Sequence, residues 1–168
     1  AEHMRLLNPQ DASAVAGINL AHSALHLPDS GHINPRKLCA FYARGIAVKT
    51  NVSIKSLSDI DADIIILACG MGALNFKEAS KLPTQSVRGQ ITQVQPIAAL
   101  QNLNCNLHYG GYCSAGLNDG THMLGATFQR WLDHSDIRPE DDQDNIDKLR
   151  AVLPDLSEDI KTVSHRAS

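Results

Sequence analysis

The chain has 168 residues, 43% hydrophobic and 20% charged, with a formal charge of −3. That is enough for one domain with a true core, and it excludes a long disordered or strongly basic nucleic-acid-binding chain. Aromatic residues are only 4% of the sequence, so the core is expected to be aliphatic.

In chain order, "PQDASAVAG" (9–17) reads as a short helix with Asp11 as N-cap and Gly17 as its stop. "SALHL" (23–27) reads as extended, and "PDSG" (28–31) as a turn. "NPRKLCAFYARG" (34–45) carries the clearest helix signals: Asn34 as cap, Pro35 at the first helical position and Gly45 as terminator. Leu38, Phe41 and Tyr42 share one face, which predicts packing on a sheet.

"NVSIKSL" (51–57) alternates like a half-buried strand. "ADIIILACG" (62–70) does not alternate, as expected of a central strand covered on both faces. "SVRGQITQVQ" (86–95) alternates imperfectly through Val87, Gly89, Ile91 and Val94, a strand with a glycine inside it. "NLHYGGYCS" (106–114) and "HMLGATFQR" (122–130) predict a hairpin across "AGLNDG" (115–120). "RPEDDQDNIDKLRAVLP" (138–154) is a helix whose early acidic residues suit the helix dipole. Ile146, Leu149 and Leu153 form its apolar stripe, and "EDIKTVSHRAS" begins like a further strand.

The order predicts a mixed α+β fold, a largely antiparallel sheet with helices on one face. None of the four cysteines (Cys39, Cys69, Cys105, Cys113) has C-x-x-C spacing, and they are expected to be buried free thiols of a reducing, cytoplasmic setting. His22 and His26 have i,i+4 spacing, but their segment reads as extended and no third ligand is at hand, so no metal site is expected. No apolar run approaches the ~20 residues of a membrane span.

Four stretches carry a family resemblance. "PDSGHINPRKLC" (28–39), "ADIIILACGMG" (62–72), "LPTQSVRGQITQV" (82–94) and "GYCSAGLNDGTHMLGATFQR" (111–130) resemble, in order, motifs of the D-amino-acid-oxidase-like FAD-dependent amine oxidoreductases. The VRGQ strand and the GY…HMLGA hairpin are most similar to the oxidoreductase module of a bacterial subgroup that modifies the wobble uridine of tRNA.

The chain departs from the pattern in several places. It has no G-x-G-x-x-G; "GMGAL" (70–74) is nearest. The family's closing Arg-x-x-x-x-Asp-x-x-Pro-x-x-Gly segment is absent, the stretch from Val52 to Ala62 is short, and Ala115 stands where the hairpin's proline is expected. The resemblance therefore implies a fragment of a larger enzyme. Residues 1–50 and 82–162 would be mainly substrate domain, and 51–81 would contribute strands to the FAD domain.

The same resemblance implies site residues. Ala68, Cys69, Gly70 and Gly72 would lie beneath FAD, where small residues leave bare backbone; an ordinary tight turn is the alternative. Arg88, Gly89 and Gln90 would place a flat ring on backbone with polar chains at its edge, against the alternative of a surface arginine beside a bulge. Tyr112, or its neighbour Tyr109, would donate to a substrate carboxylate, unless it is a core tyrosine. His122 reads as structural, and no residue is expected to act as a strong base.

The implied reaction is oxidative removal of the carboxymethyl group from carboxymethylaminomethyl-uridine in tRNA, with a methyltransferase module following in the same pathway, in the same chain or a separate one. The alternatives are oxidation of free glycine, sarcosine or a D-amino acid, and a binding module without a cofactor. The fragment itself is expected to be inactive and not to retain FAD.

Overall fold

The computed structural model describes residues 3–157 and 159–168. Glu158, at the head of the last predicted strand, lies outside them. In chain order the elements are β1 (Arg5–Leu7), α1 (Pro9–Ala16), β2 (Ala24–His26), α2 (Pro35–Tyr42), β3 (Val87–Arg88), β4 (Gln90–Val94), β5 (Leu107–His108), β6 (Tyr112–Cys113), β7 (His122–Gly125), β8 (Gln129–Arg130), α3 (Pro139–Val152) and β9 (Thr162–Ala167). Contacts divide the chain into two units, 1–32 with 87–168, and 33–86.

The larger unit is built on a five-stranded sheet of order β5-β6-β7-β4-β9, antiparallel throughout. β1 pairs with β2 and β3 with β8 as separate antiparallel ribbons. The mixed α+β class with a largely antiparallel sheet is thus the observed one. Helix α3 packs against β4 and β7. Its predicted stripe is buried: Ile146, Leu149 and Leu153 join Val94, Leu100, Cys113 and Leu124 in one aliphatic core. Each fully buried leucine or valine there contributes about 1.5–3 kcal/mol.

The hairpin forms where its turn chemistry predicts. Gly120 adopts φ 77° and donates from its N–H to the Leu117 carbonyl at 2.8 Å, and Asp119 accepts from the Thr121 amide and hydroxyl at 3.0 and 2.6 Å. These hydrogen bonds lower the Asp119 carboxyl below its ordinary value, the Thr121 hydroxyl contributing most.

Two local readings in this unit are corrected. The N-cap of α1 is Asn8, whose side chain accepts from the Asp11 amide at 2.9 Å, with Pro9 opening the helix; Asp11 sits inside the first turn. The strand expected over 86–95 breaks at Gly89 into β3 and β4, and its buried side is the opposite of the apolar one. Arg88, Gln90, Thr92 and Val94 face the interior, while Ile91 is half-buried. Helix α3 brings its own polar groups to that face, so most of the polar row finds partners there, with Arg88 Nε and Asn145 Oδ1 left without one.

In the smaller unit, α2 begins as predicted, with Asn34 accepting from the Lys37 amide at 3.1 Å and Pro35 at the first position. Its expected packing on a sheet is absent: no residue of α2 is buried, and Phe41 and Tyr42 stack edge-on in the open at 5.5 Å. The strands expected over 51–57 and 62–70 are not strands. Residues 57–59 and 70–75 form short 3-10 turns, and 62–69 has no regular structure, with Ile64 81% and Ile66 84% exposed. An apolar run specifies burial, but a strand also needs a neighbour for its N–H and C=O groups. No described segment of this unit supplies one.

The cysteine expectation fails for the same reason. Cys39 and Cys69 are exposed, Cys105 is half-buried and only Cys113 is buried. All four are free thiols, as expected. Burial pushes the Cys113 thiol up to about 12 and raises Cys105 less. Alkylation at pH 8 followed by peptide mass mapping should therefore label Cys39 and Cys69 first and leave Cys113 unmodified until the chain is unfolded. Early labelling of Cys113 would show that its strand opens in the native state.

Candidate functional site

The larger unit holds a groove of about 700 Å³ between α1, the β2 segment and residues 104–109. That volume is in the range of ligand sites. Its walls are apolar at Leu20, Leu25 and Leu107, with His26 and His108 among the polar lining groups. The groove depends on a close approach at the end of α1. Gly17 has φ 77°, and a side chain there would meet the Asn102 carbonyl oxygen at 2.2 Å. The Asn104 amide donates to the Ala16 carbonyl at 2.8 Å, tying the 102–104 loop to the helix end.

Tyr109 lines this groove. Its hydroxyl is buried without a hydrogen-bond partner, and burial raises its pKa well above the ordinary tyrosine value, so it remains a donor. Replacement by phenylalanine should leave stability unchanged or raise it by about 1 kcal/mol, because an unsatisfied buried hydroxyl is removed. Thermal unfolding of Tyr109→Phe tests this; a substantial loss would mean that the hydroxyl is already paired.

Tyr112 is placed differently. It lies on the sheet, 6.2 Å from the His108 ring, half-buried and with its pKa raised by burial. Gly125 makes room for it, since a side chain there would come within 2.9 Å of the Tyr112 ring and of Ile91. Tyr112 does not line the groove, so the two candidate tyrosines face different surroundings. His122 is buried, its Nδ1 3.0 Å from the Ser114 carbonyl oxygen.

Arg88 and Gln90 are brought together, but in the interior. Arg88 is 1% exposed, and its Nη1 donates to Asp141 at 2.5 Å and to Gln129 at 2.8 Å. Its Nη2 donates to Gln90 at 2.9 Å and to the Asp136 carbonyl. The Gln90 side-chain amide donates to Asp142 at 2.7 Å and to the Arg138 carbonyl at 2.8 Å. Thr92 donates to the same Asp142 oxygen at 2.7 Å, and Asn145 donates to the Gln90 carbonyl and to Thr92, each at 3.0 Å.

Asp141, Asp142 and Asn145 are the residues that sequence reasoning missed. It took the acidic turn as a match to the helix dipole. The available signal was register, for Asp142 and Asn145 stand four residues before Ile146 and Leu149 on the apolar stripe.

Gly89 exchanges backbone hydrogen bonds with Ser168 at 3.0 and 3.1 Å, and a side chain on it would meet the Thr127 carbonyl oxygen at 3.1 Å. In the smaller unit, Ala68, Cys69 and Gly70 are exposed and Gly72 is half-buried. Gly70 has φ 58° with open space where a side chain would stand. For a flat cofactor the donor set therefore divides. The 68–72 turn offers the bare backbone such a group needs, whereas the polar side chains of Arg88 and Gln90 are committed to α3. Among the described residues no cluster of three or more His, Cys, Asp or Glu side chains could hold a metal ion, and no helix is long and apolar enough to cross a membrane.

Comparison with known proteins decides the family. The pattern of the FAD dependent oxidoreductases matches residues 1–167. The chain belongs to that family. FAD is the cofactor of its members, and the fold agrees: glycine oxidase from Bacillus cereus superposes with a TM-score of 0.73 over 99% of this chain and 52% of that one, at 17% identity. Among curated relatives, the tRNA 5-methylaminomethyl-2-thiouridine biosynthesis bifunctional protein MnmC of Legionella pneumophila strain Corby is 29% identical over 97% of this chain and 26% of its own length. The MnmC of Hahella chejuensis is 30% identical over 99% of this chain and 31% of its own length. The chain thus spans about a quarter to a third of the curated relatives it matches.

Proposed function

We infer that this chain is a part, mainly substrate domain with residues 51–81 from the FAD domain, of a longer, cytoplasmic FAD-dependent oxidoreductase that acts on a secondary amine at a C–H next to nitrogen. Its substrate would be carboxymethylaminomethyl-uridine at the wobble position of tRNA. The observation that carries the reading is the relatives' shared name together with alignment over nearly the whole chain. On the same analogy a methyltransferase module would accompany it in the parent protein.

The chemistry a bound flavin supplies is acceptance of a hydride equivalent from the carbon between nitrogen and carboxylate. Loss of that hydride and of the amine proton leaves an imine. Water adds to it, the C–N bond breaks, and the products are glyoxylate and aminomethyl-uridine. The chain's part is binding and orientation. Ala68, Cys69, Gly70 and Gly72 would lie against the cofactor through bare backbone, and Gly89 would offer bare backbone to its flat ring. Tyr109 or Tyr112, each kept protonated by burial, would donate to the substrate carboxylate. Arg88 and Gln90, expected at the cofactor's edge, would act by fixing their strand to α3.

The net charge of −3 favours a second reading, oxidation of a free small amino acid, because it gives no general attraction to RNA. The test is anaerobic flavin reduction in the full-length protein. Bleaching by hypomodified tRNA, with glyoxylate released and no response to sarcosine or glycine, supports the tRNA reading. Bleaching by the free amino acids alone replaces it with the second. Bound flavin that neither substrate bleaches removes both, and a full-length protein that carries no flavin leaves the cofactor-less binding module.

A further inference from the structure

The tail of the hairpin presents side chains that the fold does not use. Gln129 points inward, its side-chain amide donating to Asp141 and its oxygen accepting from Arg88, both at 2.8 Å. Alternation along β8 then turns Phe128 and Arg130 to the other side. Phe128 is 69% exposed, and the Arg130 guanidinium lies 5.8 Å from its ring centroid. Trp131 follows, 76% exposed and at φ 70°, a left-handed conformation that costs a bulky side chain stability. Arg130 makes no ion pair among the described residues, whereas nearby His134 and Arg138 meet Asp136 and Glu140.

We propose that Phe128, Arg130 and Trp131 form a stacking site for unpaired bases of single-stranded RNA, with Arg130 on the adjoining phosphate. This rests on the tRNA reading above and adds a contact surface to it. An exposed ring with a cation over it, and a second exposed ring next in the chain, match what an unstacked nucleotide presents, a π-face and a negative phosphate. Three side chains are too small a patch for a stable protein interface. One arginine on one phosphate is a local contact that a chain of net charge −3 can carry.

Trp131 is the single tryptophan of these 168 residues, so tryptophan emission from this chain reports the site. The test is titration with a fluorescein-labelled single-stranded oligouridylate, following anisotropy and tryptophan emission together, with a blunt RNA duplex as control. The expected result is saturable quenching by the single strand and little by the duplex. Phe128→Ala should weaken binding about tenfold, within the range of one lost base stack. Arg130→Gln should lower the salt dependence by about one phosphate contact. Trp131→Gly should bind more weakly by anisotropy while unfolding at a higher temperature.

Binding with unchanged emission and an unchanged Phe128→Ala affinity would overturn this site and leave the tRNA reading in place. A blue shift that grows with protein concentration alone would make the face a self-association surface and overturn it too. No RNA binding at all, with the full-length protein turning over free amino acids, would end both readings.

Discussion

Asp141→Ala should be among the most damaging single substitutions in the larger unit, lowering stability by about 3–5 kcal/mol. At this size that corresponds to a fall of roughly 10 °C or more in Tm. The reason is the position of its partner. The side chains of Arg88 and Asp141 are 0% and 4% exposed. Removing the carboxylate leaves a guanidinium inside the protein with only neutral acceptors at Gln129, Gln90 and the Asp136 carbonyl. The companion experiment separates the loss of a pair from the loss of one partner. Arg88→Met with Asp141→Leu removes both charges and should recover most of the stability. Urea unfolding of the four proteins of that cycle measures it. A single-mutant loss below about 1 kcal/mol would show that water reaches the arginine. Arg88→Ala is therefore a probe of catalysis only after its folding has been measured.

Gly17→Ala should cost about 3 kcal/mol or more, read by urea unfolding. Two penalties coincide. The backbone is left-handed, at φ 77°, and the new methyl would stand 2.2 Å from the Asn102 carbonyl oxygen. That oxygen belongs to the backbone and has no rotamer to escape into, so the 102–104 loop must move. The Asn104 amide bond to Ala16 then breaks, and the wall carrying Asn104 and Cys105 shifts with it. Gly45 is the control. It is also left-handed, at φ 78°, but nothing lies within 4 Å of the added carbon. Gly45→Ala should cost only about 1 kcal/mol. Equal losses at the two glycines would mean that strain, and not the clash, governs the site.

Local signals were strong in this sequence wherever one residue decides the outcome. Pro35 after Asn34 started α2, the Asn118-Asp119-Gly120 turn joined β6 to β7, and Gly17 stopped α1, because each rests on a preference of φ or on a cap that needs no distant partner. The stripe Ile146, Leu149, Leu153 was legible as core for the same kind of reason, a period of 3.6 set against water. The family, and with it FAD, was legible from four motifs in order, at an overall identity to the relatives of about 30%.

What the tertiary structure alone decided was which side of β4 faces inward and what the acidic turn of α3 is for. Hydrophobic alternation would have buried Gly89 and Ile91; the fold buries Arg88, Gln90 and Thr92 instead, because Asp141, Asp142 and Asn145 arrive from some 50 residues away to satisfy them. Among the described residues no backbone lies beside 62–69, and Ile64 and Ile66 are exposed there, since an apolar run becomes a strand only beside another backbone. Composition records what a segment can bury, but hydrogen-bond partners distant in sequence determine which groups are buried and where.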